Sequence, residues 1–138
     1  MQTFLPYEDF TASAEALDYR RLGKQRVETW QILRALAGET KGWGNHPASR
    51  MWRGYEAGLV EYGAVMCREW IRRGYKDTML QRFVDMRSGK TVRMPAWIGE
   101  REFHRSHQSN LIRKDRDFYE PLFPGVPSDL EYVWPISV

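Results

Sequence analysis

Residues 11–38 read TASAEALDYRRLGKQRVETWQILRALAG, and this stretch decides the fold class. Its apolar residues recur at helical spacing: Leu22, Val27, Trp30, Leu33 and Ala37. Thr11 is the expected N-cap of a helix that opens at Ala12, and Gly38 is its expected end. Gly23, inside the segment, indicates a kink or a close approach of another part of the chain.

Three further stretches predict helices, over about 49–73, 77–86 and 100–114. The last twenty residues carry four prolines among aromatic residues, so we expect a non-helical tail that packs across the helices. The sequence therefore predicts an all-α protein. Its residues 1–138 would form a compact single domain of three main helices with an extended C-terminal tail rich in proline and aromatic residues.

The composition excludes several classes of protein. Of the 138 residues, 42 % are apolar and 28 % are charged, which excludes disordered and collagen-like chains. No apolar run is long enough to predict a membrane span, and the opening MQTFLPYEDF lacks the pattern of a secretory signal. The single cysteine, Cys67, suits a reducing compartment. We therefore expect a cytoplasmic monomer.

The formal net charge of +3 conceals an uneven layout. Residues 20–53 hold eight bases and two acids, and residues 68–93 hold eight bases and three acids. The two ends are acidic, with four acids and no base in 1–19 and a net charge of −4 in 115–138. Most of the bases are arginines, whose planar donor fork suits phosphate. The two basic blocks indicate a nucleic-acid surface, and a merely solvated face is the alternative.

The segment from Asp18 to Glu28 is the densest cluster of polar chemistry. At 100° per residue, Arg20, Lys24 and Gln31 lie near one line of the helix. Arg21, Gln25 and Glu28 lie about a quarter turn away. One face therefore offers phosphate-binding cations, and its edge offers a carboxylate. The alternative is that Asp18 and Glu28 pair with these bases on a wet surface.

The motif LDYRRL at residues 17–22 resembles that of the phage pyrimidine-dimer DNA glycosylase family, also called endonuclease V, and its bacterial relatives. The stretch CREWIRRGYKDT at 67–78 and a basic last helix fall in the order of that family. The resemblance implies an all-α fold that binds kinked duplex DNA and flips a base out of the stack. It also implies cleavage of the glycosidic bond without a metal or other cofactor.

The family chemistry that the resemblance implies uses the chain's own α-amine as nucleophile. Amines of this type have ordinary pKa values near 8, against about 10.4 for lysine side chains, so a larger fraction is neutral at pH 7. The amine forms a Schiff base with the sugar C1′. A glutamate stabilises the developing sugar cation and moves protons, while two cations hold the surrounding phosphates.

Only part of the family site maps onto this chain. Arg20 matches the family's arginine and Lys24 matches its second cation, but Arg21 stands at the position of the catalytic glutamate. Gln2 stands where the family has its nucleophilic threonine. A bulky second residue predicts that methionine is retained, which places the amine on Met1. The candidate catalytic set is therefore Met1, Gln2, Arg20 and Glu28, with Asp18 as a weaker candidate for the carboxylate.

Two further groups of residues are candidates for binding. The predicted DNA contacts are Arg20, Arg21, Lys24, Arg26, Arg50, Arg113 and Lys114. A second group forms a candidate polar pocket: His46, His104, Ser106, His107 and Asn110. Its alternatives are a contact with the DNA backbone and buried structural hydrogen bonding. We expect no metal site, because no acidic residue lies at a recognisable ligand spacing from the histidines.

Three functions remain open from the sequence. The first is a protein that acts on or recognises a damaged or modified base in duplex DNA. The second is a non-catalytic nucleic-acid-binding module that has lost the family chemistry, as the arginine at position 21 and the bulky Gln2 favour. The third, in last place, is a hydrolase or transferase that acts on a nucleotide-like molecule through the polar cluster of 104–110.

Overall fold

The computed structural model describes residues 1–87 and 92–136. In this part of the chain the regular structure is entirely helical, so the predicted all-α class is confirmed, although the helices are more numerous than the three main ones expected. The α-helices are α1 (Phe10–Ala16), α2 (Tyr19–Leu36), α3 (Pro47–Arg50), α4 (Glu56–Arg72), α5 (Leu80–Met86), α6 (Arg101–Lys114) and α7 (Arg116–Tyr119). None of the helices within the described ranges is long and apolar enough to cross a membrane.

The expected continuous helix from Ala12 is wrong, because the chain breaks at Leu17 and Asp18, which are both extended. Asp18 caps α2 with its carboxylate, while its peptide N–H donates to the hydroxyl of Tyr119 at 2.8 Å. Because Asp18 caps α2 and its N–H is bound to Tyr119, its backbone stays extended and α1 ends before it. The cap of α1 is likewise Asp9 rather than Thr11, since its carboxylate accepts from the N–H of Ala12 at 2.9 Å.

The expected helix over 49–73 is also divided. A turn at residues 51–55, with Gly54 at a φ of +90°, separates α3 from α4. Only a residue without a Cβ adopts that backbone conformation readily, so Gly54 stops the helix. The shorter helix that follows, α5, begins at Leu80 with Met79 as its N-cap, three residues later than expected. The carboxylate of Asp77, just before it, accepts from the N–H of Leu80 at 2.7 Å.

The predictions for the C-terminal third are largely confirmed. Helix α6 spans Arg101–Lys114, close to the expected bounds. The tail begins with one 3₁₀ turn, Glu120–Leu122, which corrects the expectation that it holds no helical turn, and it continues without helix to residue 136. Residues 137–138 of the predicted tail lie outside the described residues.

The core forms where α2 packs against α4. Two glycines allow close packing around α4, one where it meets α2 and one where it meets α5. A Cβ at Gly23 would lie 3.1 Å from the ring of Trp70, so Gly23 marks a close approach inside an unbroken helix rather than a kink. A Cβ at Gly63 on α4 would overlap the ring of Phe83 on α5. The helix α2 is thereby held with one face in the core and the other face free to line a cleft.

Candidate active-site cleft

A cleft of about 1060 Å³ opens between the N-terminal segment, the first turns of α2 and the end of α6. Its lining joins the start of the chain to residues near its end. Those residues are Met1, Gln2, Phe4, Asp18, Tyr19, Arg20, Arg21, Lys24, Glu28, Lys114, Asp115 and Tyr132. The proposed amine, the proposed carboxylate and most of the proposed DNA-binding cations therefore share one cavity.

The N-terminal segment, residues 2–6, is buried and non-helical, and other parts of the chain hold its backbone. The N–H of Phe4 donates to Gln25 Oε1 at 3.0 Å, and the N–H of Leu5 donates to His107 Nδ1 at 2.9 Å. The hydroxyl of Tyr62 lies 2.8 Å from the carbonyl oxygen of Phe4. Side chains from three different helices thus replace the hydrogen bonds that a strand partner would supply. This fixes the position of the first residue.

Glu28 meets the N-terminal segment at the cleft. The peptide N–H of Gln2 donates to Glu28 Oε2 at 3.3 Å. The amide of Gln25, one turn earlier on α2, donates to the carbonyl oxygen of Gln2 at 2.9 Å. The carboxylate is therefore one residue away from the position of Met1, which also lines the cleft. This arrangement brings together an amine and a carboxylate that lie 27 positions apart in the sequence.

His46 lies within electrostatic range of the same two groups. Burial lowers the pKa of its imidazole, the positive N-terminal amine lowers it further, and the charge of Glu28 acts in the opposite direction. Its Nδ1 accepts from the N–H of Ala48 at 3.0 Å, which leaves the proton of the neutral ring on Nε2. Its ring contacts Trp43 and Trp134. The ring therefore serves as the N-cap of α3 beside the cleft.

Three cations on the cleft wall are exposed: Arg20, Lys24 and Lys114. None of them belongs to an ion pair within residues 1–87 and 92–136. Arg20 instead donates from Nε to the hydroxyl of its neighbour Tyr19 at 3.0 Å. Cations that lack an internal partner keep their full charge available for an external anion such as phosphate.

Arg21 differs from these three because it is tied to Asp18 and to Tyr119. Its guanidinium donates to Asp18 Oδ1 at 3.1 Å and lies 5.9 Å from the centroid of the Tyr119 ring. Burial alone would raise the pKa of Asp18, but hydrogen bonds from Tyr119 and Arg21 outweigh it and lower that pKa. The carboxylate of Asp18 is therefore hydrogen-bonded to both Arg21 and Tyr119. Glu28 is for that reason the better candidate for proton transfer in the cleft.

Two of the predicted DNA contacts bind other parts of the chain. Arg26 forms an ion pair with Asp77, whose side chain is 1 % exposed, and its guanidinium stacks over the ring of Trp70 at 4.3 Å. Arg113 donates to the carbonyl oxygens of Ser128 and Leu130 in the tail. Both guanidinium groups therefore have partners within the chain, although Arg113 is exposed, and their role as DNA contacts stays a prediction. Arg50 is exposed on α3 outside the lining of the cleft.

The predicted polar pocket on α6 is filled by the chain itself. His104 Nδ1 lies 2.8 Å from the carbonyl oxygen of Leu5, and Ser106 Oγ accepts from the N–H of Val133. Asn110 donates to the carbonyl oxygen of Leu130. Burial, aided by the charge of His104, lowers the pKa of His107 to about 3, so its ring is neutral. The structure supports the alternative of buried hydrogen bonding, in which α6 binds the N-terminal segment and the tail.

Sequence reasoning did not predict Gln25 and Tyr132 as site residues, although it placed Gln25 on the helix line of Arg21 and Glu28. Gln25 is 1 % exposed and lies on the buried side of α2 with Leu22 and Ile32. A polar amide among apolar residues of one helix face is the sequence pattern that could have indicated its role. Tyr132 lines the cleft from the C-terminal tail, and no local sequence pattern predicts that contact. Within the described residues, no three His, Cys, Asp or Glu side chains are grouped so as to hold a metal ion.

The family model for pyrimidine dimer DNA glycosylases matches residues 1–82, which is more than half of the chain. The matched part contains the N-terminal segment, α2 and α4, and thus both Met1 and Glu28. Lys114 and Tyr132, which complete the cleft, lie outside it. No curated protein and no solved structure matches the chain at a significant level.

Proposed function

Because the chain belongs to the pyrimidine dimer DNA glycosylase family, we propose that it is a DNA glycosylase with abasic-site lyase activity on a damaged or modified base in duplex DNA. The observation that carries the proposal is the hydrogen bond from the N–H of Gln2 to Glu28 Oε2, at 3.3 Å in a cleft lined by exposed cations. It supports a site in which the amine of the first residue and a carboxylate act on one sugar.

In the proposed reaction, the lone pair of the neutral Met1 amine bonds to the sugar C1′, and the glycosidic bond breaks with its electron pair leaving on the base. Glu28 takes the proton that the amine gives up and passes it to the departing base. The C1′–O4′ bond then breaks, and the remaining proton of the amine nitrogen moves to the ring oxygen, which leaves the Schiff base that allows strand cleavage. No metal is part of this sequence of steps.

Arg20, Lys24 and Lys114 are proposed to bind the phosphates around the extruded nucleotide. Their side chains are exposed along the cleft that holds the amine and Glu28. Fixed cations stabilise a distorted backbone most where they do not have to leave an internal partner first. Since one chain supplies the amine, the carboxylate and the cations, we propose a monomer that acts on DNA in the bacterial cytoplasm.

The second candidate function is a DNA-binding module without catalysis. It is favoured by Arg21, which occupies the family's glutamate position and is held there by Asp18 and Tyr119. In that case Glu28 would only anchor the peptide N–H of Gln2. The two candidates make opposite predictions about a covalent adduct, while both require DNA binding.

Borohydride trapping on oligonucleotides with an abasic site, a pyrimidine dimer or a modified base separates them. A glycosylase gives a reducible adduct with the abasic DNA, which disappears after acetylation of the N-terminal amine and in Glu28→Gln. Glu39→Gln is the matched control, since Glu39 is an exposed glutamate that pairs with Arg34 away from the cleft lining. Intact mass spectrometry shows which residue carries the amine.

The outcomes assign the protein to one function. DNA binding without any adduct would establish the module and overturn the catalytic proposal. Failure to bind any of the oligonucleotides, even at low salt, would contradict both functions, because both require the cleft cations to bind DNA phosphates and such binding is strongest at low salt.

A further inference from the structure

The side-chain amide of Gln2 is held in one orientation at the edge of the cleft. Its Oε1 accepts from the N–H of Thr3 at 2.9 Å, and the residue is 5 % exposed. A peptide N–H can only donate, so the atom that faces it must be the oxygen, and the other end of the amide must be the NH₂ group. Gln2 thus presents a donor whose direction is fixed by its own neighbour.

That donor has no acceptor. Within residues 1–87 and 92–136, Gln2 Nε2 is buried without a hydrogen-bond partner. Other buried side-chain atoms share this condition, but among them Gln2 alone belongs to a residue that lines the cleft. An unsatisfied buried donor destabilises the folded protein, so an acceptor supplied from outside the chain would be favourable. Nε2 itself has almost no exposed surface, but the residue lines the cleft, so a small turn of the Gln2 side chain would bring this donor to an acceptor on a bound ligand.

The position of Gln2 limits which acceptor that is. Gln2 follows the residue that carries the proposed amine, and its N–H is bound by Glu28. A group so close to the amine faces the atoms around the sugar C1′ when the amine attacks that carbon. The acceptors beside the glycosidic nitrogen are O2 of a pyrimidine and N3 of a purine, which are the minor-groove acceptors of the bases.

We propose that Gln2 donates a hydrogen bond from Nε2 to the acceptor next to the glycosidic nitrogen and so stabilises the departing base. This inference rests on the proposed glycosylase function. When the amine's lone pair forms the bond to C1′, the glycosidic electron pair moves onto the base and spreads to O2 or N3. The hydrogen bond strengthens as that charge develops, and it weakens again when the proton carried by Glu28 neutralises the base.

Two substitutions test the role of this donor. Gln2→Glu keeps the oxygen that accepts from Thr3 and removes the NH₂ group, while Gln2→Met removes both polar ends at similar volume. Both variants retain a bulky second residue, so the amine stays on the same first residue. We expect base release in a single turnover to fall by about 100-fold, the loss typical of one transition-state donor. Formation of the adduct with abasic DNA should fall by a much smaller factor than base release, because no base has to leave.

Matched substrates identify the acceptor. A target pyrimidine without O2, or a target purine with N3 replaced by C–H, is a poorer leaving group and should slow both the wild-type protein and the Gln2 variants. It should slow the wild-type protein by a larger factor, because only the wild-type protein also loses the hydrogen bond from Gln2. The substrate analogue that shows this difference between the wild type and the variants identifies the target base as a pyrimidine or a purine.

The results distinguish this inference from the function on which it rests. Wild-type base release by both Gln2 variants, with normal abasic adducts, would overturn the role of Gln2 and leave the glycosylase intact. Additive effects of the variant and of both substrate analogues would do the same. A wild-type protein that forms no adduct with abasic DNA would overturn the glycosylase, and the role of Gln2 with it.

Discussion

Replacing Gln25 by methionine removes the contacts through which α2 holds the N-terminal segment. The Gln25 amide accepts from the N–H of Phe4 at 3.0 Å and donates to the carbonyl oxygen of Gln2 at 2.9 Å. Its oxygen also lies 2.6 Å from the hydroxyl of Tyr62. Methionine has a similar length and volume but offers neither a donor nor a strong acceptor, so the substitution leaves the packing nearly unchanged.

The expected loss of stability follows from the groups that lose their partners. The N–H of Phe4 and the carbonyl oxygen of Gln2 both belong to buried residues, and each unsatisfied group costs about 1–3 kcal/mol. Tyr62 keeps an acceptor in the carbonyl oxygen of Phe4 at 2.8 Å, so it adds no such cost. Gln25→Met should therefore lower the free energy of unfolding by about 2–6 kcal/mol, a large part of the stability of a small domain.

Urea unfolding measures this change, and hydrogen exchange locates it at the amides of Phe4 and Leu5. Gln31→Met is the matched control, because Gln31 is the same residue type on the same helix but is exposed. We expect the control to change stability by less than about 0.5 kcal/mol. If Gln25→Met costs less than about 1 kcal/mol and the exchange of the Phe4 amide stays slow, the reasoning about the N-terminal segment is refuted.

Three other predictions concern particular side chains. Gly63→Ala should cost about 1–3 kcal/mol in urea unfolding, because the new Cβ overlaps Phe83; a stabilised variant would contradict that contact. Arg26→Met should cost about 3 kcal/mol by leaving Asp77 buried without its partner, while the DNA affinity of the folded protein is unchanged; loss of affinity without loss of stability would show that Arg26 contacts DNA. The pKa of His107 is lowered by burial from 6.5 to about 3, so only the unfolded state gains its proton as the pH falls below 6.5, and stability falls in that direction. Between pH 7 and 5 the wild type should lose about 2 kcal/mol more than His107→Gln, and equal losses would contradict a buried neutral ring.

The helices of this chain were predictable where their signals are local. Asp77 accepts from the N–H groups two and three residues further on, where α5 begins, and α6 follows the expected bounds closely. The break between α1 and α2 was not predictable, because the apolar pattern runs through Leu17 without interruption. The contact that helps to place the break comes from Tyr119, which lies 101 positions away.

Contacts between distant parts of the sequence also decide which cations of α2 are paired inside the protein and which line the cleft. The sequence placed Arg20, Lys24 and Arg26 on one basic helix and predicted that all three contact DNA. In the fold, Arg26 faces Asp77 at the start of α5, while Arg20 and Lys24 face the cleft. Helical spacing gives the direction in which a side chain leaves the helix axis, but the partner it meets is set by the packing of another helix.

By itself, the sequence determined the all-α class, the basic character of α2 and the family motif, because helix periodicity and motif spacing involve residues within a few turns of one another. Only the tertiary structure decided which carboxylate meets the start of the chain. Glu28 reaches the N–H of Gln2 because Gln25, Tyr62, His104 and His107 bind the N-terminal segment across the core. Those hydrogen bonds span from 21 to 102 positions of sequence, a range over which no periodic pattern carries information.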